Sequence, residues 1–327
     1  MAVLGGGAIA SGAVSSLPIT FATSETWACP VAMEAYVFVI GPGGAGAGGE
    51  NASTARIQGG SAGGCAVSKL SLKAQNYAIV IGEGGQGGDP SGTGSGADGS
   101  APTTFTDSVG SAFTQMVGNP GQGGTGAASG ATCAAQNGGT ATGGNLMNNT
   151  GGGVPEITAN GRVTGGGAVG LWGPGAPGKV STGGVWYTGS PGYHWGPSRG
   201  GLGGDAHGMS DTVHWFAPPF NLQTTGMETS PRPNSSTDSM RHRNNLSAGS
   251  MWGSHGHSES STYGYTNLGT PLSGTGGYFS GMQYAYGGGA SLGGGGGGMI
   301  SNITSAIMHT CSGGHGGVII IPISMGS

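Results

Sequence analysis

Apolar and polar positions along this chain fall into short, strand-like runs, and the convincing ones sit at its two ends. “LPITFAT” (17–23) and “AYVFVI” (35–40) come first, followed by the alternating “CAVSKLSL” (65–72) and by “NYAIVIG” (76–82). “TTFT” (103–106) and “SAFTQMVG” (111–118) are weaker. Near the far end, “GGVIIIPI” (316–323) is a continuous apolar run of buried-strand type, with Pro322 suited to an edge or a strand end. No ten-residue window carries the 3.6-residue apolar period of a helix. Between the runs lie glycine tracts at 41–49, 59–64, 82–88, 121–130, 138–144, 151–153, 165–167, 287–289 and 293–298. The pattern predicts an all-β fold with almost no α-helix. It is read as an antiparallel β-sandwich scaffold with bundled polyglycine, polyproline-II-like helices and long irregular loops.

Composition explains why the tracts are expected to be ordered. The chain has 79 glycines in 327 residues, and 49 residues are Leu, Ile, Val or Phe, too few for an ordinary core. Disorder, however, also calls for high net charge, and here it is only −4. A weakly charged glycine chain does not repel itself and gains order by packing backbone on backbone. No Gly-X-Y register runs for any distance, which excludes collagen. Without Cβ atoms, extended glycine helices approach closely enough for N–H···O and Cα–H···O contacts to replace side-chain packing.

Two glycine spacings imitate nucleotide sites. Gly41-x-Gly43-x-x-Gly46 follows a strand as a dinucleotide loop does, but “GGENASTARIQGGSAGG” comes next, without the helix whose N-terminus would hold a pyrophosphate. Gly173 to Lys179 has phosphate-loop spacing, yet Val180 stands where a Ser or Thr should bind magnesium. Both are rejected. The nine Lys and Arg form no basic stripe, so no nucleic-acid partner is expected. Apolar runs of about six residues give no membrane span, and the N-terminus lacks the basic and hydrophobic regions of a secretory signal. Cys29, Cys65, Cys133 and Cys311 include no C-x-x-C pair and read as free buried thiols.

Residues 170–286 differ in character. Aromatic and histidine side chains crowd among turn residues in “VWYTGSPGYHWGPSRGG” and “VHWFAPPF”. Trp172, Trp186, Tyr187, Tyr193, His194, Trp195, His214, Trp215, Tyr263 and Tyr265 are the candidate recognition residues. Tyr and Trp give large contact area at low entropic cost, as binding surfaces require. The competing reading is that these rings fill a core that glycine cannot.

With strands and tracts placed, the ends of the chain resemble the glycine-rich domain of tailed-bacteriophage tail fibre and adhesin proteins. The likeness is carried by Trp27–Pro30, “YVFVIGPGGAGAGG”, “YAIVIGEGGQGG” and “GGHGGVIIIPI”, over roughly 17–130 and 287–323. The glycine-rich extracellular domain of certain receptor tyrosine kinases is similar too, but such a receptor carries a signal and a span. The resemblance implies a non-enzymatic virion protein, assembled in the host cytoplasm and exposed on the particle. It would have an N-terminal attachment segment (1–16) for other virion proteins, a glycine-rich β domain (17–140 with 287–327) and an inserted recognition region (141–286). The expected target is a host cell-surface glycan or outer-membrane protein. “GSHGHSES” (253–260) is similar to the His-x-His motif of trimeric phage fibres. Alternate strand residues share a face, so His255 and His257 from three chains would offer six imidazoles to iron or another transition metal on a threefold axis. Two exposed loop histidines are the plainer reading. His309, Cys311 and His315 make a weaker ligand set.

Catalysis has little to stand on. Asp205 and Asp211 bracket His207 in “GGDAHGMSD”, the one acid–histidine cluster of note, and no activated nucleophile accompanies it. The function readings are therefore a receptor-binding adhesin, a capsid- or tail-decorating protein without receptor binding, and, remotely, a polysaccharide depolymerase.

Overall fold

Alternation of side chains decides which way each apolar run faces, and two antiparallel sheets follow from it. In the computed structural model the described residues are 18–50, 56–88, 94–108, 113–127, 131–158 and 312–325, with short pieces within 161–182, 257–286 and 293–309. Among them there is no α-helix, and no helix is long and apolar enough to cross a membrane. The first sheet has the order β1 (Ile19–Phe21), β20 (Gly317–Met325), β3 (Met33–Ile40), β6 (Cys65–Leu72) and β12 (Met147–Asn149). The second has the order β11 (Ala141–Thr142), β9 (Met116–Gly118), β8 (Thr103–Asp107), β7 (Asn76–Val80) and β2 (Glu25–Ala28).

One apolar cluster joins the two sheets. Met33, Ala35, Val37 and Val39, every second residue of β3, share it with Val318 and Ile320 of β20 and with Tyr77, Ile79, Phe105 and Met116 of the second sheet. Aromatic rings close it: Tyr77 stacks on Phe105 at 5.2 Å, Phe105 on Phe113 at 5.3 Å, and Trp27 lies 5.7 Å from Tyr77. The buried Tyr77 hydroxyl accepts from the Lys73 N–H at 2.8 Å and donates to the Lys73 carbonyl at 3.3 Å, so its polar tip is satisfied. Phe38 and Ile40 point to the other face of β3, where they pack with Val67 and Ile319. That is why “AYVFVI” reads as continuously apolar: β3 is buried on both faces.

The core strands run on into glycine tracts. β3 and β6 pair from Met33–Leu72 to Ile40–Cys65, and the register continues unbroken. Gly41 N–H donates to the Gly64 carbonyl at 2.7 Å, Gly44 to Ser61 at 2.8 Å and Ala47 to Gln58 at 3.0 Å. The bonds recur at every third residue. The same step links Gly121 to Pro42 and Gly124 to Ala45, Gly85 to Gly43 and Gly88 to Gly46, and Gly313 to Gly85 and Gly316 to Gly82. The 41–47 tract thus bonds to neighbours on several sides, all of them backbone. A Cβ at Gly43 would lie within 3.0 Å of the Gly294 carbonyl, and one at Gly44 within 3.0 Å of the Gln122 carbonyl. Close approach, rather than flexibility, is what glycine supplies at these two positions.

Beyond the tracts lie smaller ladders. β4 (Gly48–Glu50) ends a parallel sheet of order β15 (His257–Glu259), β16 (Gly277–Ser280), β18 (Met299–Ser301), β4. β5 (Arg56–Gln58) lies between β10 (Gly126–Ala127) and β13 (Gly161–Val163), with β14 (Val180–Thr182) at the edge, and β17 (Tyr284–Tyr286) pairs with β19 (Ile307–His309). The body therefore has two ends. At the sheet end Met325 pairs with Met33, and β1, across β20 from β3 and parallel to it, has Ile19 level with Val37, so residue 325 lies at this end and residue 18 opens toward it from mid-sheet. β4 and β5 form the tract end, roughly 20 Å beyond β3 at about 3.1 Å per extended residue.

Candidate functional site

The aromatic segment is anchored at the tract end. β13 runs parallel to β5, back toward the sheets, and β14 is antiparallel to β13, so the chain reaches residue 182 heading away from them. It returns as β15, on the edge of the sheet that contains β4. The strands on either side of residues 183–256 thus both stand at the end opposite residue 325.

Of the residues singled out from sequence, Trp172, Trp186, Tyr187, Tyr193, His194, Trp195, His214, Trp215, Tyr263 and Tyr265 lie outside the described residues, as does the Asp205–His207–Asp211 cluster. His257 opens β15, opposite Gly277 of β16, while His255 lies outside. His309 ends β19 and Cys311 lies outside; His315 is exposed, its Nδ1 accepting from the Gly84 N–H at 3.4 Å. Among the described residues no group of three or more His, Cys, Asp or Glu side chains could hold a metal ion.

Sequence reasoning did not find the polar cluster beneath this end. Arg56 and Gln58 share one face of β5, and both are buried, at 6% and 0% exposure. Gln58 Nε2 donates to the carbonyls of Ala134 at 2.9 Å and Pro155 at 2.8 Å, and Oε1 accepts from the Thr125 N–H at 3.2 Å and from the Thr125 hydroxyl. Arg56 Nη1 donates to the Ala131 carbonyl, and its Nε has no partner among the described residues. Cys133, Val154 and Ile157 pack together beside them. Burial pushes the Cys133 thiol above its ordinary value, outweighing the opposing pull of Thr125 and Arg56. This cluster offers no nucleophile paired with a base. It fastens 131–137 and 154–157 onto β5, which supports β13 and β14. Its sequence signal is weak, because “RIQ” holds a single apolar residue between two polar ones, too short a run to mark a strand.

No family model matches the chain, and no curated protein matches it.

Proposed function

We propose that the chain is a structural, non-enzymatic virion protein of a tailed bacteriophage, a tail-fibre adhesin that binds a host surface receptor. The observation supporting this is the polarity of the body. Residue 325 sits at one end and residue 18 opens toward it, next to the segment assigned to attachment. The strands that flank the aromatic segment stand at the other, on the far side of about 20 Å of hydrogen-bonded backbone. In the same reading the two five-stranded sheets are the halves of a β-sandwich. The tracts are polyproline-II-like helices, since a three-residue step is the repeat of a helix with three residues per turn. A homotrimer joined near His255 and His257, with a transition metal on its axis, belongs to this reading as well.

The test is direct. Fluorescently labelled full-length protein, incubated with a panel of bacterial cells, should bind a subset of them. Trp186→Ala, Tyr193→Ala and Trp195→Ala should each weaken binding by about 1–4 kcal/mol while thermal unfolding stays unchanged. Unfolding of all three variants would make those rings core and move recognition elsewhere. If no cell binds and the particle carries many copies per capsomer, the protein is a decorating component. Release of sugar from capsule would make it a depolymerase.

A further inference from the structure

We infer that the first two strands form a releasable strap and that β3, behind them, is a mechanical stop. On the attachment reading above, a particle docked on a host pulls the chain at its N-terminal segment and, through 183–256, at the tract end. The register determines how each strand meets that force.

β1 is held by one neighbour, β20, through three residue pairs from Ile19–Ile320 to Phe21–Val318. Pulled from residue 18 it slides along its own axis, against a ladder only three residues long. β2 runs the opposite way: Glu25 pairs with Ile79 and Ala28 with Asn76, which puts Glu25 toward the tract end. Tension arriving through residue 24 draws Glu25 back toward the sheet end, so the β2–β7 pairs open one after another.

β3 differs on both counts. Met33 already lies at the sheet end, so the pull runs along the strand. Eight residue pairs to β20 on one side and eight to β6 on the other are then strained together. Bonds strained together must fail together, whereas peeled bonds fail singly. Release therefore halts at β3.

The strap comprises fifteen residues, 18–32, and frees about 50 Å of contour at roughly 3.3–3.6 Å per residue. Its hold on the body comes chiefly from Phe21, which is buried, and from Trp27, 5.7 Å from both Phe21 and Tyr77. The apolar cluster contributed by β3, β6, β20, β7 and β8 stays assembled without them, so the strap can re-dock when force falls.

Single-molecule force spectroscopy on the full chain tests this without any receptor, because both handles are covalent. One handle is a labelling tag inserted between Gly200 and Gly201. The other is placed at the N-terminus in one version and at the C-terminus in the second. Whatever lies between residue 182 and the inserted tag is common to both versions and cancels. The N-terminal version should show an added low-force, reversible step of about 50 Å. The C-terminal version should lack it, since β20 is pulled along its length from Met325 against β3. Phe21→Ala should lower the force of that step and leave the main rupture unchanged. Identical traces from the two versions, or an N-terminal step that continues past β3 at the same low force, would overturn the inference. Either outcome is independent of whether the protein binds cells.

Discussion

The double substitution Gly43→Ala, Gly44→Ala separates a packed glycine body from a solvated linker by the sign of its effect. In a linker each change would stabilise the protein by about 0.4–1 kcal/mol, because alanine narrows the unfolded ensemble. In the body described here the new Cβ atoms meet backbone from two different tracts. At Gly43 the obstacle is the carbonyl of Gly294, and at Gly44 it is the carbonyl of Gln122 together with the Gly123 amide. Neither obstacle can rotate aside. Ser61, next to Gln122's tract, is bonded to it through its N–H at 2.8 Å and also accepts from Gly44 at 2.8 Å, so a shift on one side stretches bonds on the other. Overpacking a rigid site costs about 1–3 kcal/mol. The two clashes involve separate tracts, so together they should cost on the order of 2–6 kcal/mol. For a domain of this size that corresponds to a fall of roughly 5–15 °C in Tm. Thermal scans by near-ultraviolet circular dichroism, with Ala45→Gly as a control that removes a Cβ from the same tract, measure it. An unchanged or raised Tm in the double variant would refute the packed-tract account.

Other expectations follow from the core and the buried polar groups. Gln58→Ala strands the Thr125 N–H and the carbonyls of Ala134 and Pro155, and should cost about 2–4 kcal/mol in urea unfolding. Phe105→Ala removes a fully buried ring stacked on two others, and should cost about 3–5 kcal/mol. Burial pushes the Cys65 thiol up to about 12 from 9.0. The folded state thus keeps a proton that the unfolded state sheds. Stability should be intact below pH 9 and fall between pH 9 and 12, by at most ~1.4 kcal/mol per pH unit from this group. Urea midpoints for wild type and Cys65→Ala at pH 8 and 10.5 should differ in that slope.

The strands that carry the core were legible because their side chains are large and regularly placed. “CAVSKLSL” is β6, and “AYVFVI” lies within β3, which begins two residues earlier at Met33. “LPITFAT” shrinks to Ile19–Phe21, while the C-terminal run extends to Met325. What stayed hidden was pairing made by backbone alone. β11 and β12 are two and three residues of Ala, Thr, Met and Asn, and only their partners β9 and β6 make them strands. β2, “ETWA”, carries one large apolar side chain and no alternating run, so its pattern predicts no strand. Arg56 escaped notice because a charged residue signals exposure, and its burial follows from the loop folded over β5.

The three-residue step of the glycine tracts limits how this body can change over generations. If the tracts are the polyproline-II-like helices proposed above, removing one residue from 41–47 turns every later amide by a third of a revolution, away from the carbonyl that received it. Removing three restores the facing, but only if 58–64 loses three as well, since Ala47 would otherwise pass the Gln58 carbonyl it now meets. Tract length should therefore vary among relatives in triplets, and in partner tracts at once. The segment between residues 182 and 257 escapes that arithmetic: it leaves the body from the edge strand β14 and rejoins it at the edge strand β15. A change of length there leaves the described ladders in register while the frame beneath keeps count.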